Sequence, residues 1–313
     1  MDIIVVCHTE FGFVDGKEVI YDKNHKEGVS VGVANLIKLA DKYGVKITFA
    51  VMPEVADYFP KGIKHEVGLH IHPGFEEYTN PRGFKWTVGD EYLRKNCKQS
   101  SNSTVLWDYP YDEQFEMIKV GKECIEKQLG VSPKSFVGGR WCVNNDTVKA
   151  LVENEFTHDC SAPAHSISDH YDWSKLPRIC MPYHPDRKDY QKKGDLPILI
   201  VPISRALFGV TVNPEEFPNV GYRWIKACFK EYCNSGVPLF HLCLHSPSAT
   251  DSYFFKKIEN LFSLISQSKD INFMFASQTK QYKNEVYGSN FLPYFFAVDK
   301  KIIRAAIRKT VRL

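Results

Sequence analysis

Glu66-Val67-Gly68-Leu69-His70-Ile71-His72-Pro73 is the stretch from which the rest of the chain is read. Taken as a strand, it places Val67, Leu69 and Ile71 on one face and Glu66, Gly68, His70 and His72 on the other, because strand side chains alternate. Two imidazoles on one strand face are close enough to hold a single metal ion. Pro73 brings no N–H to a ladder, so the strand stops there and leaves both rings at its C-terminal mouth. Taken alone, a His-x-His pair is weak evidence for metal and is more often a pair of hydrogen-bonded histidines at a strand end. The segments on either side decide between the two.

Upstream, Ile3 to Glu10 is apolar on both faces in its middle, as a buried parallel strand is, and it ends with His8 and Glu10 on one face. Apolar spacing over 29–43 predicts a helix stopped by Gly44, and Lys46 to Val51 forms the next strand, closed by Pro53. Downstream, helices are expected at 112–129, 145–154, 219–234 and 251–268. Strands at 135–140, 156–159, 198–204, 239–245 and 272–276 alternate with them. Such alternation means βαβ units around a parallel sheet. No linker or change of composition cuts the chain, so 1–285 reads as one barrel-like α/β domain and 286–313 as an extension. The stretches 73–111 and 161–196 break the rhythm and are rich in Gly, Pro and aromatic residues. Long loops at the C-terminal ends of strands are the usual place for a site.

With 43% hydrophobic and 25% charged residues, the 313-residue chain is of the globular, well-cored class. Its nine cysteines are scattered without a C-x-x-C pair, which reads as reduced thiols in a cytoplasmic protein. The start of the chain agrees, since Met1-Asp2 runs straight into an apolar strand too short to span a membrane. The net charge of +3 is uneven: residues 300–313 hold six cations and no acid, leaving the first 299 residues at −3. Among those cations, Ile302, Ile303, Ala306, Ile307 and Val311 fall at helical spacing and give a basic amphipathic helix. It reads either as a helix packed on the body with a solvated basic face or as peripheral contact with a membrane surface. Nucleic acid is not expected as a partner, because no recognition motif accompanies the charge.

In parallel α/β barrels the chemistry sits at the C-terminal ends of the strands. Gathered there are His8 and Glu10, His70 and His72, Arg140, Asp159 and His245, a set suited to a metal-dependent hydrolase. Segments in the same order are Val-Val-Cys-His-Thr-Glu at 5–10, His-Glu-Val-Gly-Leu-His-Ile-His-Pro at 65–73 and Ser-Pro-Lys-Ser-Phe-Val-Gly-Gly-Arg at 132–140. Phe-Thr-His-Asp-Cys-Ser at 156–161, Ile-Val-Pro-Ile-Ser at 200–204 and Leu-His-Ser-Pro at 244–247 complete the series. In these motifs the chain resembles the polysaccharide deacetylase family of the NodB-homology, carbohydrate esterase 4 type. The resemblance implies a distorted (β/α)7 barrel and metal-dependent removal of acetyl groups from N-acetylated sugars.

Carried over residue by residue, the resemblance makes Glu10, His70 and His72 the metal ligands, with His72 standing two residues after His70 where the family spaces its histidines four apart. His8 occupies the place of the family's base aspartate, Arg140 that of the third-motif arginine, and His245 that of the acid histidine. Asp159 matches an acid in a related segment. A site of two histidines and one carboxylate leaves room for water and substrate, as catalytic zinc sites do. His8 is then either the base or a fourth ligand, and in the second case Asp159 becomes the candidate base. Trp86, Trp107 and Trp141 are candidates for stacking on a sugar ring, whereas His65 and His241 read as structural. The expected substrate is an N-acetylated sugar or conjugate, a precursor of surface polysaccharide. Hydrolysis of a cyclic amide on the same scaffold, or metal and glycan binding without catalysis, are the competing readings.

Overall fold

The run Ile3-Ile4-Val5-Val6-Cys7 offers water no polar side chain and must be covered on both faces. In the computed structural model it forms the middle of β1 (Asp2–Thr9), which is buried from Ile3 onward. The structure describes residues 1–79, 83–283 and 287–304. β1 pairs in parallel with β2 (Ile47–Val51), and β2 pairs with β3 (Glu66–Ile71). The sheet continues in parallel through β4 (Ser135–Gly138), β5 (His158–Asp159) and β6 (Leu199–Ile200). On the other side of β1 lies β7 (Leu239–His245), in a register that sets His8 beside His245. The short β8 (Asn272–Phe273) fills the edge of β1 ahead of β2. The strand order is therefore 6-5-4-3-2-1-7, the curled sheet of an incomplete α/β barrel. Between β6 and β7, Ser204 N–H donates to the His241 carbonyl at 3.1 Å and Cys243 N–H to the Val212 carbonyl at 3.0 Å, so irregular chain spans the gap. This is the distorted barrel that the motifs imply.

Helices wrap the outside: α1 (Ala34–Tyr43), α2 (Tyr111–Leu129), α3 (Asn145–Glu153), α4 (Tyr222–Asn234) and α5 (Ser252–Ser266). Gly44 and Gly130 end α1 and α2 in the left-handed conformation, as the glycine stops predict. The long first loop is not irregular throughout. Phe75–Thr79 and Lys85–Gly89 form an antiparallel hairpin, and Asp90 caps a short helix, Glu91–Asn96. Of the expected C-terminal helix, 300–304 are helical with Ile302 buried, while Ala306, Ile307, Arg308, Lys309, Val311 and Arg312 lie outside the described residues. No helix among the described residues is long and apolar enough to cross a membrane.

The expected helix over 29–43 begins as a widened π-helical turn, Gly28–Val33, before it becomes α1. Two glycines there allow close approach to segments that carry candidate site residues. A Cβ on Gly28 would lie 2.4 Å from the Glu10 carbonyl oxygen, and one on Gly32 would lie 2.0 Å from that of Ser246. Gly32→Ala is therefore expected to destabilise the fold by about 1–3 kcal/mol, as overpacking does. A lower urea midpoint at unchanged m-value would register it. An unaltered midpoint would mean that the Ser246 turn retreats freely.

Candidate active site

The parallel register gathers the polar strand ends at one mouth. His8 and His245 are adjacent, with ring centroids 4.4 Å apart, and the His8 and His70 centroids are 4.7 Å apart. Glu10 follows directly after β1, its backbone N–H donating to Ser246 Oγ at 3.1 Å. One of its carboxylate oxygens, Oε1, is 2.7 Å from His70 Nε2 and 3.4 Å from His72 Nε2. All three residues are buried. Burial pushes the Glu10 carboxyl up, but the hydrogen bonds and charge of the two histidines outweigh this and hold it well below the usual carboxylate range.

The tautomer of His70 follows from its other nitrogen. Nδ1 is 2.9 Å from the Val137 carbonyl oxygen, which can only accept, so Nδ1 carries hydrogen. In the neutral ring Nε2 then turns a lone pair toward a carboxylate oxygen. Two acceptors at that distance require a positive species, either a second proton on the ring or a cation held by both. Metal-ligating histidines are oriented by this kind of second hydrogen bond. His72 adds a further donor, with Nε2 turned to Glu10 while its buried Nδ1 has no hydrogen-bond partner among the described residues. The residues present thus fit a divalent cation. A second view of the same mouth groups His8, Glu10 and His70, with one ligand atom from each within 4.8 Å of the others.

His8 is neutral in this setting, since burial pushes its imidazole well below the ordinary value and the neighbouring His245 and His70 add to the shift. Its Nε2 is 3.5 Å from Cys243 Sγ. His245 is driven the other way. Burial lowers it, but the Glu215 carboxylate, 3.0 Å from Nδ1, raises it overall. Glu215 is in turn bound by the Ser248 hydroxyl. The sequence does not mark Glu215 as a site residue, because its pairing with His245 depends on the path of irregular chain between β6 and β7, which no periodicity encodes. Its local signal was only the Asn213-Pro214 turn, in which Asn213 caps the Pro214–Glu216 helical turn.

Arg140 does not end a strand as expected. It sits with Trp141 in a left-handed turn (φ 53° and 56°) just past β4. Its guanidinium donates to His170 Nε2 at 2.7 Å and pairs with Glu76 of the hairpin, so it joins the two long loops. Asp159 lies outside the cavity at the mouth. It is wholly buried, accepts the Ser161 N–H at 3.0 Å as well as the Ser161 hydroxyl, and is pushed up to about 7 by burial against those bonds. Trp86 and Trp141 line the cavity, whereas Trp107 lines a separate cleft with Asp108 and His170. His65 accepts the Ile47 N–H, and His241 bonds the Val201 and Pro202 carbonyls, both structural as read from the sequence.

The cavity itself encloses about 360 Å³, within the range of small-ligand pockets. Glu10, His72, His8 and His245 line it, and the wholly buried His70 meets it through Glu10, while Tyr21, Tyr78 and Trp86 add aromatic lining in which Tyr78 and Trp86 stack at 5.4 Å. Lys23 and Glu54 also line the cavity, Lys23 with its backbone N–H on the Thr87 hydroxyl beside Trp86. Glu54 accepts the Glu91 N–H at 2.9 Å, and Asp90 accepts both the Leu93 N–H at 3.0 Å and the Glu54 N–H at 3.3 Å. Lys23 and Glu91 form an ion pair beside them.

No sequence-family model matches the chain, and no curated protein does either. Solved structures match its fold. A protein from Mycobacterium smegmatis assigned as a polysaccharide deacetylase superposes with a TM-score of 0.56 at 15% identity, over 88% of this chain and 87% of that one. A second so assigned, from Pseudomonas aeruginosa PAO1, gives 0.56 at 16% identity, over 88% of each chain. The PuuE allantoinase gives 0.55 at 13% identity, over 88% of this chain and 87% of that one. The chain has the fold of the polysaccharide deacetylases, as the motif order implies, at a distance where sequence similarity is slight.

The Glu54–Asp90 pair supplies a pH test of the cavity wall. Burial first, then the neighbouring Asp90, pushes Glu54 up to about 8, and burial pushes Asp90 up to about 7. Both acids hold protons in the folded chain that they would release when unfolded, so their stabilising contribution is full below the ordinary carboxylate range and is lost as pH rises through 7 to 8. The melting temperature is expected to fall between pH 6 and pH 9, and less steeply in Glu54→Gln. Parallel pH profiles of wild type and variant would show that the pair is ionised in the fold.

Proposed function

We propose that this chain is a metal-dependent hydrolase that removes the acetyl group from an N-acetylated sugar. The observation that carries the reading is the convergence of His70 Nε2 and His72 Nε2 on one buried oxygen of Glu10, which with His72 lines a cavity rich in aromatic side chains. Glu10, His70 and His72 would hold the ion. Two nitrogens and a carboxylate suit zinc among the common divalent metals. When bound, such an ion supplies Lewis acidity that activates water and polarises the acyl carbonyl.

The chain's own groups supply the proton transfers. His8, kept neutral by burial, is the base for the attacking water. His245, whose hold on a proton is strengthened by Glu215, delivers a proton from Nε2 to the departing amine. Trp86 and Trp141 offer faces to the sugar ring, and Lys23 and Glu54 reach its hydroxyls. A cavity of about 360 Å³ suits one sugar unit or the end of a conjugate better than a polymer running through, which supports a precursor of surface polysaccharide as substrate. Nine free thiols suit a reducing compartment, in keeping with a cytoplasmic enzyme. Because the allantoinase shares this fold, opening of a cyclic amide is the competing reaction, and assays for acetate and for ring-opened product separate the two.

Metal analysis tests the assignment. Wild type is expected to hold about one ion per chain and to release acetate from an N-acetylated sugar, His72→Ala to lose the ion, and His8→Ala to keep it while losing activity by about 10²-fold or more. Loss of the ion in His8→Ala would make His8 a ligand, and with Asp159 outside the cavity another base would be needed. Wild type that takes up no metal on reconstitution would overturn the proposal. In Glu215→Gln, activity is expected to fall about 10- to 100-fold with metal content unchanged. Undiminished turnover in that variant would separate His245 from the chemistry.

A further inference from the structure

The exposed apolar surface is concentrated in one short segment. Phe295 and Phe296 are 76% and 75% exposed, more than any other large apolar side chain among the described residues. Phe291, Leu292, Val298 and Ile303 are exposed beside them. The segment is nevertheless held firmly from below. Tyr294 and Ala297 are buried, and the Tyr294 hydroxyl donates to Glu231 Oε2 at 2.7 Å and accepts the Leu207 N–H at 3.3 Å. Asn290 N–H bonds the other Glu231 oxygen, and Arg178 pairs with the same carboxylate. The phenyl rings thus project from an anchored turn.

Cations follow at once. Asp299 accepts the Lys301 and Ile302 N–H groups at 2.8 and 3.2 Å and starts the helical turn at 300. Lys300 and Arg304 are exposed on it. Lys257 stands near Lys301 and Lys17: its ammonium is lowered by burial and then by the charges of those two. In sequence Arg308, Lys309 and Arg312 continue the series without an acid.

We propose that residues 291–304 form a docking surface for an anionic lipid bilayer, with Phe295 and Phe296 entering the interface and Lys300, Lys301 and Arg304 meeting the headgroups. Projecting aromatic rings bordered by cations match the two layers of such a surface, apolar within and anionic without. A second copy of the chain matches it poorly, because a two-fold contact would set this cluster of cations against its own image. Sequence periodicity points to Ile302 as part of the apolar face, but Ile302 is buried in the body and the phenylalanines take that place. The proposal does not depend on the reaction at the cavity.

The test is sedimentation of the full chain with vesicles of phosphatidylcholine, alone or mixed with phosphatidylglycerol. Wild type is expected to pellet with the mixed vesicles, to remain in solution with the neutral ones, and to be released by high salt. The double variant F295S/F296S is expected to lose about tenfold or more in partitioning, and K300E/K301E about fivefold or more per lysine. The exposed positions of Phe295 and Phe296 make an unchanged melting temperature expected for F295S/F296S, whereas Lys301 is half-buried with its ammonium 3.5 Å from the Phe217 carbonyl, so K300E alone is the charge variant expected to melt as wild type does. Wild type that ignores anionic vesicles, or an F295S/F296S chain that binds them as wild type does, would overturn the proposal. So would a wild-type dimer in light scattering that F295S/F296S converts to monomer without vesicle binding, since a second copy would then cover the patch.

Discussion

The candidate site depends on the hydrogen bond from His70 Nδ1 to the Val137 carbonyl. It fixes which nitrogen bears the proton, and so determines that a lone pair of the neutral ring faces Glu10. A carboxylate buried at that depth is costly unless positive charge lies within reach. Here the compensation comes from His70 and His72, or from an ion that both would ligate with Glu10. The bond exists because β3 and β4 are parallel neighbours in a register that sets His70 beside Val137. Shifting that register by one residue would turn both imidazoles to the outer face.

Around this point the fold arranges two histidines with opposite tendencies. Among the described residues no carboxylate is hydrogen-bonded to the His8 ring, and burial lowers its pKa, while Glu215 at 3.0 Å from Nδ1 raises that of His245. Groups of one type pushed apart by their surroundings are a common preparation for acid and base roles. Gly139 contributes by being small. A Cβ there would lie 2.5 Å from His72 Nδ1, so the turn after β4 closes directly over the ring. The next two residues, Arg140 and Trp141, take left-handed backbone conformations that ordinarily cost about 1–3 kcal/mol each. Their contacts offset this: Arg140 binds Glu76 and His170, and the Trp141 carbonyl accepts the Trp173 indole N–H at 3.1 Å. The turn thereby ties both long loops to the rim of the cavity.

The framework was largely legible. Strand β7 runs from Leu239 to His245 as the alternation there predicts, and α2 begins one residue before the expected 112 and ends at the Gly130 stop. Short strands were overextended: 198–204 reduces to Leu199–Ile200 because Pro202 and the turn toward Arg205 end the ladder. In the loops the sequence said less. The hairpin strands Phe75–Thr79 and Lys85–Gly89 have no clear signature in the sequence, since they carry little apolar alternation and lie on the surface. Asp159 shows the limit of reading acids at strand ends. Nothing local distinguishes a carboxylate aimed into a cavity from one folded back on Ser161.

By itself, then, the sequence determined the alternating elements, the parallel barrel and the strand ends bearing His8, His70 and His245, because periodicity and glycine or proline stops are local physics. It also determined that Glu10 and His72 stand at those ends. Tertiary structure alone decided which polar groups meet. Glu215 reaches His245 from 30 residues away in sequence, Arg140 lines the cavity while bound to Glu76 and His170, and Trp86 but not Trp107 joins the aromatic lining. Those contacts are made by loops, whose paths are set by hydrogen bonds and ion pairs between distant residues rather than by a repeating pattern along the chain.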